Sequence, residues 1–195
     1  MTRIALSGKM KSGKSTLAEA LQKALFTDNT LDHNIFNYPL IWSFAGPIRE
    51  ALDVIGITKQ KYPELYRRGA QYIGTDLVRE LYPNWWVDLM REHVNVLHPD
   101  THVIIDDMRF ENEYDYCLDA GFLLVRLDVS RGTQLARGAE ESRLDHASET
   151  GLDQKRIEDW DIWLPEQTSV EERVQMILHT LTEWNFPTGS VPVKA

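Results

Sequence analysis

Gly8, Lys9, Met10, Lys11, Ser12, Gly13, Lys14 and Ser15 fit the phosphate-binding pattern G-x-x-x-x-G-K-[ST] in full. They follow an apolar run at 4–7 and open a helical pattern from Thr16 to Leu25, the strand–loop–helix setting the pattern requires. The pattern turns up in roughly one random chain in a hundred of this length, so the setting is what separates it from a glycine-rich turn capping an ordinary helix. Two glycines let the backbone wrap a polyphosphate with successive N–H groups turned inward. The helix that begins at Lys14 adds the positive end of its dipole. Gly8, Lys11, Ser12, Gly13, Lys14, Ser15 and Thr16 form the expected nucleotide-binding set, with Lys14 on the β- and γ-phosphates and the Ser15 hydroxyl on Mg²⁺.

Open parallel sheets bind ligands beyond the carboxyl ends of their strands, so other strand ends are the next places to search. Val103–Ile105 runs into Asp106 and Asp107, with Arg109 just beyond. A carboxylate there either helps hold Mg²⁺ or caps the next helix. After Phe44, the run Ala45, Gly46, Pro47, Ile48, Arg49 starts a helix whose N-terminus is a second anion site. A cation in a first turn is disfavoured unless an anion is bound. Arg49 therefore reads as a contact for an acceptor's phosphate or as a surface arginine on a capped helix. Further on stand Arg67, Arg68, Gln71, Tyr72, Gly74, Thr75, Asp76 and Arg79. Gln71 carries the donor and acceptor that read a base edge. Tyr72, Trp85 and Trp86 could stack on a base, although aromatics at helical spacing also build cores. Arg131, Arg137, Arg143 and His146 lie in a charged stretch. Phosphoryl transfer needs cations placed around the transferred group, and a flap bearing them would also exclude water. A solvated charged loop is the rival reading.

These residues sit in a chain that alternates strand and helix, which argues for a parallel sheet with right-handed crossovers. Strands are expected at about 3–7, 41–44, 103–105 running into Asp106 and Asp107, 122–127 and 161–164. Helices are expected from the phosphate loop to about Phe26, over 46–55 with Pro47 at its first position, across 111–120 and ending at Gly121, and from a capping box at Ser169 and Glu172 to about Trp184. Residues 63–97 read as mostly helical, with interruptions near Gly74 and at Pro83. Residues 129–155 form a charged insertion between strands, of the kind that is usually functional or mobile. The stretch 28–38 reads as turn-rich and the tail 187–195 as loose.

Length and composition set the outer bounds. A chain of 195 residues, 43% hydrophobic and 26% charged, suits one globular domain with small inserted lobes. Its one cysteine, Cys117, excludes an internal disulfide and reads as a small core residue. The N-terminus runs straight into a strand, and no apolar run reaches membrane-span length, so the expectation is a cytoplasmic protein with no membrane partner. Net charge is −9, a poor basis for attracting nucleic acid. No His/Cys metal pattern and no Gly-x-Ser-x-Gly elbow is visible, leaving Mg²⁺ carried by the nucleotide as the expected metal.

The set of motifs resembles the deoxynucleoside monophosphate kinases encoded by tailed bacteriophages. The resemblance runs through Leu6 to Gly8 with Lys11 to Lys14, Ala45 to Ile48, Arg67 and Arg68 with Gln71, and Gly74 to Asp76. It continues through Trp86 and Val87, Asp107 to Arg109, and His146 to Glu149 with Gly151 and Leu152. It implies an α/β P-loop kinase fold, a five-stranded parallel sheet flanked by helices, with a helical acceptor-binding lobe and a lid insertion. In that layout a single domain over 1–195 has its core at about 1–55 and 100–185, the acceptor lobe at about 56–98 and the lid at about 129–155. The implied reaction moves the γ-phosphate of ATP to a deoxynucleoside monophosphate, for phage DNA precursor synthesis in the host cytoplasm. Lys14, Arg109, Arg131, Arg137 and Arg143 are then the catalytic candidates. Ser15, Asp106 and Asp107 are the metal candidates. The acceptor candidates are Arg49, Arg67, Arg68, Gln71, Thr75, Asp76, Arg79, Trp86 and Asp107. The partners are small nucleotides, with a homodimer left open. The chain is shorter between Ile55 and Arg67 than some relatives, and it has an acid at Asp106 where some have none.

Two other readings compete. One is a P-loop kinase of a different hydroxyl, such as a modified DNA base or a small metabolite. A DNA kinase would need a continuous basic groove, against which the net charge argues. The other is a nucleotide-binding switch without transfer chemistry, which leaves the arginine-bearing insertion unexplained.

Overall fold

The computed structural model describes residues 2–28 and 38–184. The readings made for 29–37 and for the tail at 187–195 lie outside them. Five strands form one sheet in the order β2-β3-β1-β4-β5: β1 Arg3–Gly8, β2 Leu40–Trp42, β3 Val103–Met108, β4 Leu123–Leu127 and β5 Ile162–Leu164. β1 pairs in parallel with β3 and with β4, and β4 in parallel with β5. Strands buried on both faces must be apolar nearly throughout. β3 is buried along its whole length, and β1 from Ile4 to Gly8.

One sheet face packs under helices α1 (Lys14–Asp28) and α9 (Val170–Trp184). Ile4, Leu6, Ile104, Leu123, Val125, Leu127, Ile162 and Leu164 meet Leu17, Leu21, Val174 and Ile177 there in a single cluster. Burying a Leu or Ile side chain is worth about 1.5–3 kcal/mol each, so this cluster fixes the strand ends from which the site is built. α9 begins at the expected capping box: the Ser169 N–H donates to Glu172 Oε2 (2.8 Å), and the Glu172 N–H to Ser169 Oγ (3.2 Å).

The chain divides into two compact units, 1–41 with 99–195, and 42–98. The second unit is helical: α2 Gly46–Val54, α3 Pro63–Gln71, α4 Val78–Leu81 and α5 Trp85–Asn95. Its interior is Phe44, Ile48, Leu52, Trp86, Val87, Met90 and Val94. The second strand ends two residues before its expected end, because the Gly46 N–H closes a turn onto Ser43 O (3.0 Å). Near Gly74 the structure has no break but a π-helical turn, Tyr72–Leu77, that carries α3 into α4. The Gly74 carbonyl is taken by the indole N–H of Trp86 (3.0 Å), and a Cβ at Gly74 would lie 2.8 Å from Ile48 Cδ1. A larger residue there would have to displace the end of the Ile48 side chain.

The insertion between β4 and β5 is more ordered than a charged loop. It holds α7 Arg131–Ala136, a 3₁₀ turn Glu141–Arg143 and α8 Ala147–Thr150, with Leu144 and Leu152 buried beneath. Helix α6, Glu111–Asp119, links β3 to β4 and buries Cys117.

Candidate active site

The phosphate loop leaves β1 at Gly8, whose φ is +153°, and enters α1 through Gly13 at φ +95°. A Cβ on Gly8 would lie 2.8 Å from Leu127 O, so backbone space as well as conformation demands glycine there. Lys14 folds back over the loop, donating to Gly8 O (2.6 Å) and Lys9 O (3.0 Å). Burial, helped by the positive charges of Arg109 and Arg126, lowers its pKa to about 7. The carboxylates of Glu149 and Asp107 act in the opposite sense without restoring the usual value, and a further anion at the buried ammonium would relieve the remaining cost.

Ser15 opens α1 and donates its hydroxyl to Asp106 Oδ2 (3.2 Å), joining the end of β3 to the loop. Both are hard oxygen donors, a pairing that suits Mg²⁺, which keeps most of its waters and takes one or two protein ligands. Among the described residues no cluster of three or more His, Cys, Asp or Glu stands elsewhere as a metal site. Asp107, the next residue on the strand, is buried, and its charge acts on Lys14 and on Cys117, whose thiol burial pushes well above its usual pKa.

Arg109 lies just past β3. Its Nη1 donates to Glu149, with which it forms an ion pair, and to Ser148 O (3.0 Å). Its backbone N–H is capped by Glu113 Oε2 (2.7 Å). Glu149 also accepts the backbone N–H of Met10 in the phosphate loop. Arg126, on β4, is buried, donates to Ser7 Oγ (2.9 Å) and lies over the Trp160 ring at 5.5 Å. Desolvation lowers its pKa, and Asp153, 3.6 Å away, acts in the opposite sense. A cavity of about 150 Å³ opens beside it, bordered by Lys9, Asp153, Lys155 and Trp163. Arg173, from α9, ties Ser12 O (3.3 Å) to Pro165 O (2.9 Å) and Glu166 O (3.1 Å).

The three arginines of the insertion between β4 and β5 have different surroundings. Arg137 donates to Lys11 O of the phosphate loop (2.8 Å). Arg131 is exposed and pairs with Asp145 (3.0 Å) and Glu141 (3.4 Å) inside the lid itself. Arg143 is half-buried with its Nε on Glu140 (2.8 Å). Ser12, Gly13, Ser15 and Thr16 take the loop and first-turn positions expected of them, and His146 caps α8 by accepting the Ser148 N–H at Nδ1 (3.1 Å).

In the unit 42–98, Arg49 donates to Ser43 Oγ (3.1 Å) in the first turn of α2. Arg67, Gln71, Thr75 and Arg79 recur every four residues along the α3–π–α4 run. An α-helix drifts about 40° over four residues. The wider π turn rotates less per residue, so four-residue spacing across it keeps closer to one line than in an α-helix. Arg68 and Asp76 are exposed off that line, while Trp86 is buried and spends its N–H on Gly74.

Sequence reasoning gave no site role to Arg126, Gln134, Glu149 or Arg173. Gln134 is buried and donates to Met10 O (2.9 Å). A Glu followed by Gly and Leu after His146 was visible as a motif, but its link to a loop 139 residues earlier was not. A charged residue amid an apolar strand, as Arg126 is, was the one signal that could have been read.

No protein-family model matches the chain. A protein of Acanthamoeba polyphaga mimivirus, provisionally named a deoxynucleotide monophosphate kinase, is 28% identical over 211 aligned residues, covering 91% of this chain and 95% of that one. Shikimate kinase from Aquifex aeolicus vf5 is similar in structure, with a TM-score of 0.56, 17% identity, and coverage of 93% of this chain and 97% of that one. The fold is that of the P-loop kinases, a five-stranded parallel sheet flanked by helices. No described helix is long and apolar enough to cross a membrane.

Proposed function

We propose that this chain is an ATP-dependent kinase that transfers the γ-phosphoryl group to a deoxynucleoside monophosphate, yielding the diphosphate for DNA synthesis. The observation that carries this reading is the convergence of Lys14, Arg109 and Arg126 beside a glycine-shaped phosphate loop, with Ser15 hydrogen-bonded to the strand-end carboxylate of Asp106. The mimivirus relative supports the substrate class.

In this mechanism Gly8, Lys11, Ser12, Gly13, Lys14 and Thr16 bind the polyphosphate of ATP, through backbone N–H groups and the Lys14 ammonium. Ser15 and Asp106 would hold Mg²⁺, with Asp107 behind them, and the ion would neutralise charge on the phosphates. Arg109 meets the transferred group's charge. Arg137, already against the loop, is assigned the lid contribution, with Arg131 and Arg143 organising the lid around it. Arg49, Arg67, Arg68, Gln71, Thr75, Asp76 and Arg79 are assigned to the acceptor nucleotide, and Trp86 supports the turn that aligns them. An acceptor phosphate is already ionised at neutral pH, so no general base is required.

The test is ADP release from MgATP against a panel of deoxy- and ribonucleoside monophosphates, with shikimate as a hydroxyl acceptor and Lys14→Ala as control. Release that depends on a deoxynucleotide and vanishes in the variant is the expected result. Release with shikimate alone, or none with any monophosphate, overturns the reading.

A further inference from the structure

The phosphate loop turns its corner at Met10 and Lys11, and Lys11 is the non-glycine residue at positive φ, +63°, among those described. The left-handed conformation costs an L-residue about 1–2 kcal/mol and persists only where the surroundings over-determine it. Here the surroundings are three side chains of residues 131–150. Gln134 donates to Met10 O (2.9 Å), Arg137 donates to Lys11 O (2.8 Å), and Glu149 accepts the Met10 N–H. The three successive peptides around the corner, Lys9–Met10, Met10–Lys11 and Lys11–Ser12, are therefore each gripped from this segment.

Glu149 does more than grip. One of its carboxylate oxygens takes Met10 N–H and the other takes Arg109. Its side chain is 2% exposed, against 26% for Arg109, so the carboxylate is committed to these two donors away from solvent. Breaking a buried charge pair by removing one partner leaves an uncompensated charge behind. An amide in its place would have to present an N–H to one of two groups that are themselves donors.

We propose that Glu149, seconded by Gln134, is a positioning residue that locks the Met10–Lys11 corner and Arg109 into one arrangement. The lid segment thereby sets whether the phosphate loop is shaped to receive a polyphosphate, and loop and arginine are readied together. The turnover arm of the test rests on the kinase reading, and the exchange arm does not.

Amide hydrogen exchange of the full chain without nucleotide is compared for wild type and Glu149→Gln. The Met10 amide is expected to exchange about tenfold faster or more in the variant, while amides of β1 and β3 hold their rates. At saturating MgATP, Glu149→Gln is expected to lower kcat by about tenfold or more, and in an Arg109→Lys background to add less than about threefold. An unchanged Met10 amide, acceleration spread evenly over the strands, or losses that multiply with Arg109→Lys overturn the proposal. Should Glu149→Gln fail to fold, Gln134→Met removes the grip on Met10 O, and the same local acceleration is required of it. A wild type without monophosphate turnover sinks the kinase reading alone, and the exchange result then decides this one.

Discussion

The exposed Arg131 and Arg137 apart, the two units treat their charged residues near the candidate sites in opposite ways. In 1–41 with 99–195, Lys14, Asp106, Asp107, Arg126, Glu149 and Arg173 are all buried, and most of their donors and acceptors are already engaged. In 42–98 the corresponding residues ride on the outside of a short helical run, Arg67, Arg68 and Asp76 exposed, above an interior of seven apolar side chains. Apolar groups are exposed there as well, among them Val54, Leu65, Leu81, Tyr82 and Trp85. The difference teaches where rigidity is required. On the proposed kinase reading, groups that stabilise a transition state act by preorganisation, which matches positions fixed by burial and hydrogen bonds before any ligand arrives. Groups that read a substrate can afford fewer constraints, because the substrate's own contacts complete them.

The comparison predicts that the largest losses come from the first unit. Lys14→Ala is expected to cut turnover by about a thousandfold or more with the fold retained, measured as kcat beside a melting curve. A loss under about tenfold would mean that the buried ammonium is structural.

Among the lid arginines, Arg137→Ala is expected to lower kcat by about a hundredfold, and Arg131→Ala by less than about threefold, since Arg131 answers acids of its own segment. Equal effects would erase the distinction drawn from their contacts.

The pH dependence follows from Lys14. Its folded pKa of about 7 lies below the ordinary 10.5, so between those values the unfolded chain holds a proton that the free fold does not. The burial cost is therefore complete once pH has fallen through 7, and it is lifted as pH rises toward 10.5. A bound polyphosphate restores the charge, so ATP binding takes up a proton above neutrality. Affinity should fall by about tenfold between pH 7 and pH 8.5, with proton uptake seen by calorimetry in buffers of different ionisation enthalpy. Affinity flat across that range would remove Lys14 from the phosphates.

In the second unit the expected effect falls on stability rather than turnover. Trp86→Phe keeps an aromatic side chain but loses the bond to Gly74 O and part of the buried volume, for a destabilisation of about 2 kcal/mol or more by denaturant melts. A rise in acceptor KM larger than the stability change implies would give Trp86 a substrate contact in addition.

Much of the first unit was legible because its signals are local. A glycine spacing, an apolar strand ending in acids, and a capping box each lie within ten residues, and Ser15, Asp106 and Ser169 stand where those signals put them. Strand boundaries shifted by one or two residues at Leu40–Trp42 and at Leu123, and β3 runs on through both acids to Met108. In the second unit the interruption near Gly74 was visible, but its form as a continuous π turn was not. That form depends on Trp86 reaching back across twelve residues.

By itself, the sequence determined the phosphate loop, the α/β alternation and the presence of cations in the insertion, since each follows from residue type at short spacing. Only the tertiary structure decided what those cations meet, because arginines of the insertion alike in sequence end on different partners. It alone brought Gln134 and Glu149 to Met10, and Arg126 to Ser7. Those contacts join residues more than a hundred positions apart, and their pairing is set by how β4 and the lid pack against the loop, which no local spacing encodes.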